Sequence, residues 1–517
     1  MARYPIGNQD FCKIRENGWV YVDKTRLVYE LTHHADYVFL SRPRRFGKSL
    51  LLSTIRYYLE GRKELFEGLE IEGLEKEWRK HPVLHLELSR INSQDQNSLS
   101  ATLDNQFAEW EKEYDIEDNS HLEFAQRFAN IIKRAHAKTG EKIVILIDEY
   151  DNPLINTIYN REIYETNRNL LKAVYSNLKA MDKFIRFAML TGVSRFSKMT
   201  IFSGINNLTD ITFDDEYSAI CGFTLEEIKR YLMEGVGKVA EYEECDTEKA
   251  LKLLKEEYDG YHFSLSLVDI YNPFSLLNCL QKGRIDNYWM QSGVPEFLVK
   301  RIKDSSIPYR KLFAASGTTE SLAASDAAFD SPVALLYQTG YLTIKSYDRK
   351  NRRFMLGMPN KEVDEGLFSY LLKGYYSYDL YEAEDRLKEI AGYIERGDPE
   401  SFLERLRSLL AGIPYHLQGK MTELDFERTL FVIFHVLGYH VHSEMATSSG
   451  RIDLLIETKQ YIYIVEIKLD KTANQAQDQI IEKEYALAYE YDGRKVFRIG
   501  VNFSSETRNI TDWIVRS

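Results

Sequence analysis

Phe39-Leu-Ser-Arg-Pro-Arg-Arg-Phe-Gly-Lys-Ser-Leu50 leaves a short apolar strand, Tyr37-Val-Phe-Leu40, and opens a helical pattern over 49–60. Leu52, Ile55 and Leu59 share one face of that helix. Gly47-Lys48-Ser49 falls at the turn between strand and helix. A phosphate loop needs these residue types at that place. Glycine lets backbone N–H groups approach phosphate oxygens, lysine reaches the β/γ-phosphates, and serine ligates Mg²⁺. The helix N-terminus adds a favourable dipole. The glycine that usually opens this motif falls at position 42, which is Arg42. The loop is basic throughout, with Arg42, Arg44 and Arg45. Gly-Lys-Ser alone specifies little, so the reading depends on what surrounds it.

Ile143-Val-Ile-Leu-Ile147 is a continuous apolar run, as expected of a strand buried on both faces. It ends in Asp148 and Glu149. An acid at such a tip can hold Mg²⁺, and the next can polarise the water that attacks a phosphate. A solvated strand end is the plainer alternative for the pair. The phosphate loop upstream favours the nucleotide. Another strand, 184–190, leads to Thr191, placed like a polar sensor of the γ-phosphate. Arg195 follows, either a finger acting on a neighbouring copy or a surface arginine. Residues 83–88 alternate as a further strand. Strands alternating with helices predict an α/β layer with a mainly parallel sheet.

From about 225 the pattern is mostly helical, as in 247–258. Residues 332–344 read as a helix running into a strand, and 362–417 as helices again. The last hundred residues change character: a helix (422–437), a hairpin (452–469), a helix (472–489) and a strand (496–501). The expected division is 1–225, 226–360, a helical linker 361–420, and 421–517. No Gly/Ser/Pro-rich spacer marks these boundaries.

The hairpin gathers charge. Across the turn around Thr458-Lys459-Gln460, Asp453 falls opposite Val465 or Glu466. Glu466 and Lys468 are two apart and share one face. Two acids can hold Mg²⁺ or Mn²⁺, and a lysine can orient metal-bound water towards a phosphodiester. A cross-strand salt bridge of little consequence is the alternative. Upstream, Glu427 shares a helical stripe with Leu430, Phe431 and Phe434, where a carboxylate needs a partner. Downstream, Gln475, Gln479 and Lys483 are assigned to one helix face that could reach the same site.

Composition narrows the classes. The net charge of −12, from 67 basic and 79 acidic residues, argues against a histone-like coat but leaves room for a local basic groove. Cys12, Cys221, Cys245 and Cys279 form no C-x-x-C pair, and His435, His440 and His442 lack metal-site spacing. No apolar run approaches the ~18 residues that span a bilayer. The N-terminal stretch lacks an apolar signal segment, so a cytoplasmic protein with no membrane partner is expected.

Tyr4-Pro-Ile-Gly-Asn-Gln-Asp-Phe11, Tyr21-Val-Asp-Lys-Thr25 and Arg42-Pro-Arg-Arg-Phe-Gly-Lys-Ser49 together resemble the AAA-ATPase-like family. Phe202-Ser-Gly-Ile-Asn-Asn-Leu208, Gly222-Phe-Thr224, Tyr258-Asp-Gly-Tyr261, Tyr271-Asn-Pro-Phe-Ser275, Gly340-Tyr-Leu342 and Pro359-Asn360 extend the resemblance. It implies ATP as cofactor, held by Arg42, Arg44, Arg45, Phe46, Gly47, Lys48, Ser49, Leu50 and Thr191. Mg²⁺ would sit on Ser49 and Asp148, with Glu149 catalytic. In that family the arginine-rich loop is the usual one, and arginine side chains in place of glycine contacts are the expected compensation.

The order Glu427, Gly450-Arg-Ile-Asp453, Glu466-x-Lys468, Gln479-Ile resembles the PD-(D/E)XK nuclease superfamily, in the form carried at the C-terminus of the same ATPases. It implies Asp453, Glu466 and Lys468 as catalytic, Asp453 and Glu466 as metal ligands, and Glu427 and Gln479 in support. The expected architecture is an AAA-like P-loop ATPase, a helical, winged-helix-like middle and a restriction-endonuclease-like α/β end. DNA is the expected partner, with RNA and a homo-oligomer left open. Residues 421–517 hold 11 basic and 15 acidic residues, so any groove that grips DNA needs charge from elsewhere. A nucleotide-operated switch whose nuclease fold only binds is the competing expectation.

Overall fold

The apolar runs of the first 210 residues form one parallel sheet. β1 (Tyr37–Ser41), β2 (Val83–Glu87), β3 (Ile143–Asp148), β4 (Ile185–Gly192) and β5 (Thr209–Asp210) lie in the order β2-β3-β4-β1-β5. All four pairings are parallel. β1 and β3 are buried along their whole length, which is why neither shows an apolar/polar alternation. The strand order sets β4 between β1 and β3. The carboxyl ends of these three strands are therefore neighbours, and that edge is where open α/β sheets hold ligands. The two-residue β5 is too short to have shown in the sequence.

The computed structural model describes residues 3–89, 91–92, 95–117, 119–195, 207–290, 296–322, 332–375, 380–412, 422–439, 441–446 and 451–517. They form two compact units, 1–293 with 315–363, and 294–314 with 364–517. Among the described residues no helix is long and apolar enough to cross a membrane. The segment from 226 does not stand apart from the sheet. Helices Leu225–Tyr231, Met233–Tyr242, Thr247–Tyr258 and Pro273–Lys282 bury Ile228, Val236, Leu254 and Leu276 in one core with Tyr4 and Val22. The helix Pro332–Thr339 leads into a small sheet of β6 (Ser316–Gly317), β7 (Thr343–Asp348) and β8 (Arg353–Gly357), ordered β6-β8-β7. The sequence leads one to expect a winged-helix-like middle here; the helix is followed by a small antiparallel sheet. Gly340, at φ 87°, lies against the phosphate loop. A Cβ there would meet the Pro43 side chain at 2.7 Å. The Asn360 side chain donates to the Asp259 carbonyl at 2.9 Å, which ties two of the distant family stretches together.

In the second unit, β9 (Val441–Ala446), β10 (Arg451–Glu457), β11 (Tyr461–Leu469), β12 (Lys495–Ser504) and β13 (Asn509–Arg516) are ordered β13-β12-β11-β10-β9. Only β11 and β12 pair in parallel. The helix Ala473–Glu482 makes the crossover that a parallel pair requires. That helix ends earlier than the expected 489. Its Ile480 packs with Ile452, Leu455, Ile462, Ile464 and Tyr485. The residues expected as a linker are instead a layer of this unit from 364 onward. Phe402 sets its ring against Tyr463 at 6.2 Å, and the Arg407 carbonyl accepts from the Asn509 side chain at 3.1 Å. Neither β9 nor β13 was expected. β9 reads Val-His-Ser-Glu-Met-Ala, and β13 pairs through a register shift at Asn502/Phe503 that breaks any alternation.

Candidate functional sites

Gly47, at φ 93°, caps the helix Lys48–Leu59 in a left-handed conformation that suits glycine. The next residue, Lys48, is buried. Its Nζ donates to the carbonyls of Arg42 at 3.0 Å and Pro43 at 3.1 Å. Burial lowers the Lys48 pKa, and the nearby charges of Asp148, Glu149 and Asp151 oppose that shift. At the β3 tip, Asp148 Oδ1 accepts from Thr191 Oγ1 at 2.7 Å and from the Glu149 N–H at 3.0 Å. Glu149 turns out of the strand at φ 52°, and burial raises its carboxyl. Lys48, Asp148, Glu149 and Thr191 thus meet at the tips of three adjacent strands.

A cavity of about 660 Å³ opens beside them. Its lining includes Arg44, Arg45, Gly47, Lys48, Ser49, Leu50 and Glu149 together with the apolar Ile6, Val22, Leu232 and Leu277. Arg42 corrects the expectation that each loop arginine reaches phosphate. Its guanidinium turns into the core, 1% exposed, and lies 4.3 Å over the Phe263 ring. Nη1 donates to the Ser41 and Thr212 carbonyls, both at 2.9 Å, and Nη2 to the Tyr217 carbonyl at 3.2 Å. The Phe46 ring is likewise an anchor, packed edge-on against Tyr261 at 4.8 Å and Phe263 at 5.3 Å.

Arg195 Nε donates to Asp210 at 2.6 Å, and its guanidinium covers the Phe213 ring at 5.1 Å. It is therefore held within its own unit. Two charged residues escaped the sequence reading. Asp151 is fully buried and accepts from the backbone N–H groups of Val193, at 3.1 Å, and Ser194. It ties the turn after β3 to the turn after β4. Lys24 lines the cavity and is tied to Glu227 at 2.6 Å and the Ala219 carbonyl at 2.7 Å. Only the family stretch around Lys24 hinted at it.

In the second unit Leu454 pairs with Val465, which sets Asp453 opposite Glu466 on one face of the hairpin. Lys468 Nζ meets Glu466 Oε1 at 2.8 Å, and Asp453 Oδ2 accepts from the Ile467 N–H at 2.8 Å. The two carboxyls act on each other electrostatically. Both are raised, first by burial; the Asp453 charge raises Glu466 further, and Lys468 opposes both shifts. Glu466 Oε2 is buried and receives no N–H or hydroxyl. A buried carboxylate pair with one bare oxygen fits a divalent cation, with water completing the shell. No cluster of three or more His, Cys, Asp or Glu with metal-holding geometry occurs among the described residues.

The supporting residues are distributed differently from expectation. Glu427 is half-buried on the helix Glu423–Val436. One turn earlier Glu423, not foreseen, is close enough for its charge to raise Asp453. The Gln479 amide donates to Tyr485 Oη at 3.4 Å. Gln475 closes the capping box of its own helix with Thr472, and Lys483 is exposed. Gly450, the Arg451 side chain, residues 202–206, His440 and the His442 side chain lie outside the described residues. His435 is paired with Asp364 at 2.8 Å.

Two family descriptions match the chain: a predicted AAA-ATPase over residues 5–202 and the PD-(D/E)XK nuclease superfamily over 421–513. An uncharacterized protein in the vnfD 5′ region of Azotobacter chroococcum mcd 1 is 33% identical over 524 residues, spanning 100% of this chain and 99% of that one. Among solved structures, the Aeropyrum pernix ORC1 protein in complex with DNA aligns at 11% identity. That alignment covers 66% of this chain and 90% of that one with a TM-score of 0.25, a likeness too slight to carry an argument.

Proposed function

The chain belongs to a family that joins a predicted AAA-ATPase domain to a PD-(D/E)XK nuclease superfamily domain, and on that premise we propose that it binds and hydrolyses ATP and uses the second unit to cleave DNA. The observation that carries the ATP reading is the meeting of Lys48, Asp148, Glu149 and Thr191 beside a cavity lined by both charged and apolar side chains. The charged groups suit phosphates and the apolar ones a base. Lys48 would exchange two loop carbonyls for the β/γ-phosphate oxygens. Thr191 would hold the Asp148 carboxylate in place, and Glu149 would accept a proton from the attacking water. Ser49 and Asp148 would hold one Mg²⁺, Asp453 and Glu466 another Mg²⁺ or Mn²⁺; such an ion neutralises phosphate charge and makes bound water more acidic.

A second reading is favoured by one feature. Lys468 is tied to Glu466, and both acids are raised, so the second unit as it stands is closed on itself. In that reading it binds nucleic acid or a protein and the nucleotide acts as the switch. Incubating the full chain with plasmid, linear DNA and RNA, with Mg²⁺ or Mn²⁺ and with or without ATP, separates the two. Cleavage that needs a divalent cation supports the nuclease. Binding without cleavage under every combination would leave the switch.

A further inference from the structure

The three arginines of the phosphate loop live in three different environments. Arg42 is buried, and its two terminal nitrogens are occupied by three backbone carbonyls. The Arg45 guanidinium covers the Phe274 ring at 4.4 Å. Arg44 is exposed at the cavity wall and, among the described residues, makes no side-chain hydrogen bond, ion pair or ring contact. It is near enough to Glu149 for its charge to lower that carboxyl. Lys48 and Glu149 line the same cavity.

We propose that Arg44 is the catalytic arginine of this site, contacting the γ-phosphate of the nucleotide bound by its own chain. The assignment rests on the ATP reading given above. A guanidinium presents five N–H donors in a rigid fork that matches phosphate oxygens. An arginine left without a partner loses nothing when it turns to a ligand, whereas Arg42 would strip three carbonyls of their donors. Charge developing on the transferred phosphoryl group is where an added cation accelerates the step. The usual neighbour-supplied candidate, Arg195, is already held by Asp210. The loop therefore divides its labour: Arg42 braces the core through backbone carbonyls, and Arg44 adds a charge at the cavity that glycine could not supply.

The test compares Arg44→Ala and Arg44→Gln with wild type and Lys48→Ala. Turnover should fall roughly 10²–10³-fold in both Arg44 variants, with unchanged melting temperature. Their preference for ATP over ADP should fall roughly tenfold, since only ATP carries the γ-phosphate. Arg44→Lys should recover part of the turnover, and guanidinium ion at millimolar concentration should recover part of it in Arg44→Ala. Mixing Arg44→Ala with Lys48→Ala chains should restore nothing, because both residues serve one site. Wild-type turnover with an intact ATP/ADP preference in the Arg44 variants would overturn the assignment, and so would restored turnover in the mixture. If wild type and Lys48→Ala alike bind no nucleotide, the ATP reading itself falls, and this assignment with it.

Discussion

The first unit gathers Lys48 with carboxylates at the tips of adjacent strands, the second gathers Lys468 with Asp453 and Glu466 across a hairpin, and the two settings differ. In the first unit the charges are held apart by the backbone. Lys48 rests on the Arg42 and Pro43 carbonyls, Asp148 on Thr191 and a backbone N–H, and Asp151 on two more N–H groups. In the second unit they hold one another. Lys468 binds Glu466, and Glu466 leans on Asp453. A site held by its scaffold keeps its shape when its ligand leaves. A site held by its own charges stays compact only while protons stand in for the cation. The first is prepared for a ligand; the second has to be opened by one.

The largest effects should come from removing a member of either set. Asp453→Ala removes a ligand and Lys468→Ala a charge. Both should reduce divalent-dependent cleavage about 10³-fold or more, while ATP turnover persists. Calorimetric titration with Mn²⁺ tells them apart: Asp453→Ala should lose binding and Lys468→Ala should keep it. Equal retention in both would remove Asp453 from the metal site. Lys48→Ala should abolish ATP binding or turnover, with cleavage in the absence of ATP unchanged. Glu149→Gln should bind ATP normally and hydrolyse it about 10²–10⁴-fold more slowly. Normal hydrolysis in that variant would reduce Glu149 to a strand-end acid.

pH should separate the units more gently. A carboxyl raised by folding holds its proton more tightly in the folded state. Its stabilising contribution is complete below the ordinary carboxylate pKa, about 4, and is lost as pH climbs towards the raised value. Asp453 and Glu466 are both raised, so the cation-free second unit should lose stability as pH rises above about 4. A divalent cation competes with protons for the same two carboxyls. Its affinity should therefore climb with pH, by up to about tenfold per unit for each proton released. Thermal unfolding and Mn²⁺ titration across pH 5–8, approximately, would check both signs. A cation affinity independent of pH would break the contrast between the two sites.

The legible parts of the molecule were those written locally. β1, β3 and the Gly47-Lys48-Ser49 turn are contiguous, and the Asp453–Glu466 pairing follows from counting across one short turn. The illegible parts depend on partners far along the chain. Arg42 turns inward because the carbonyls of Thr212 and Tyr217 wait for it, 170 and 175 residues away. Asp151 is explained by N–H groups about forty residues on. The supposed linker carries ordinary amphipathic helices. Only the folded sheet shows that Phe402 faces Tyr463. Periodicity says that a face is apolar and leaves open what covers it.

The smallest expected effect concerns Glu423, which the count missed by one helical turn. It lies in the exposed first turn of its helix, and its charge acts on Asp453. An exposed charge acts through solvent and is worth little, on the order of a few tenths of a kcal/mol. Glu423→Gln should therefore let Asp453 ionise slightly more easily and change Mn²⁺ affinity by less than about threefold, with cleavage nearly unaltered. Raising the ionic strength should erase even that difference. The opposite outcome is as informative. A loss of tenfold or more, insensitive to salt, would mean that the helix swings Glu423 onto the cation as a third ligand. The second site would then be completed by its ligand, and the contrast with the prepared first site would sharpen. Glu427→Gln, on the same helix, is the companion measurement: a large loss there with a small one at Glu423 returns the supporting role to the residue that the sequence pattern first suggested.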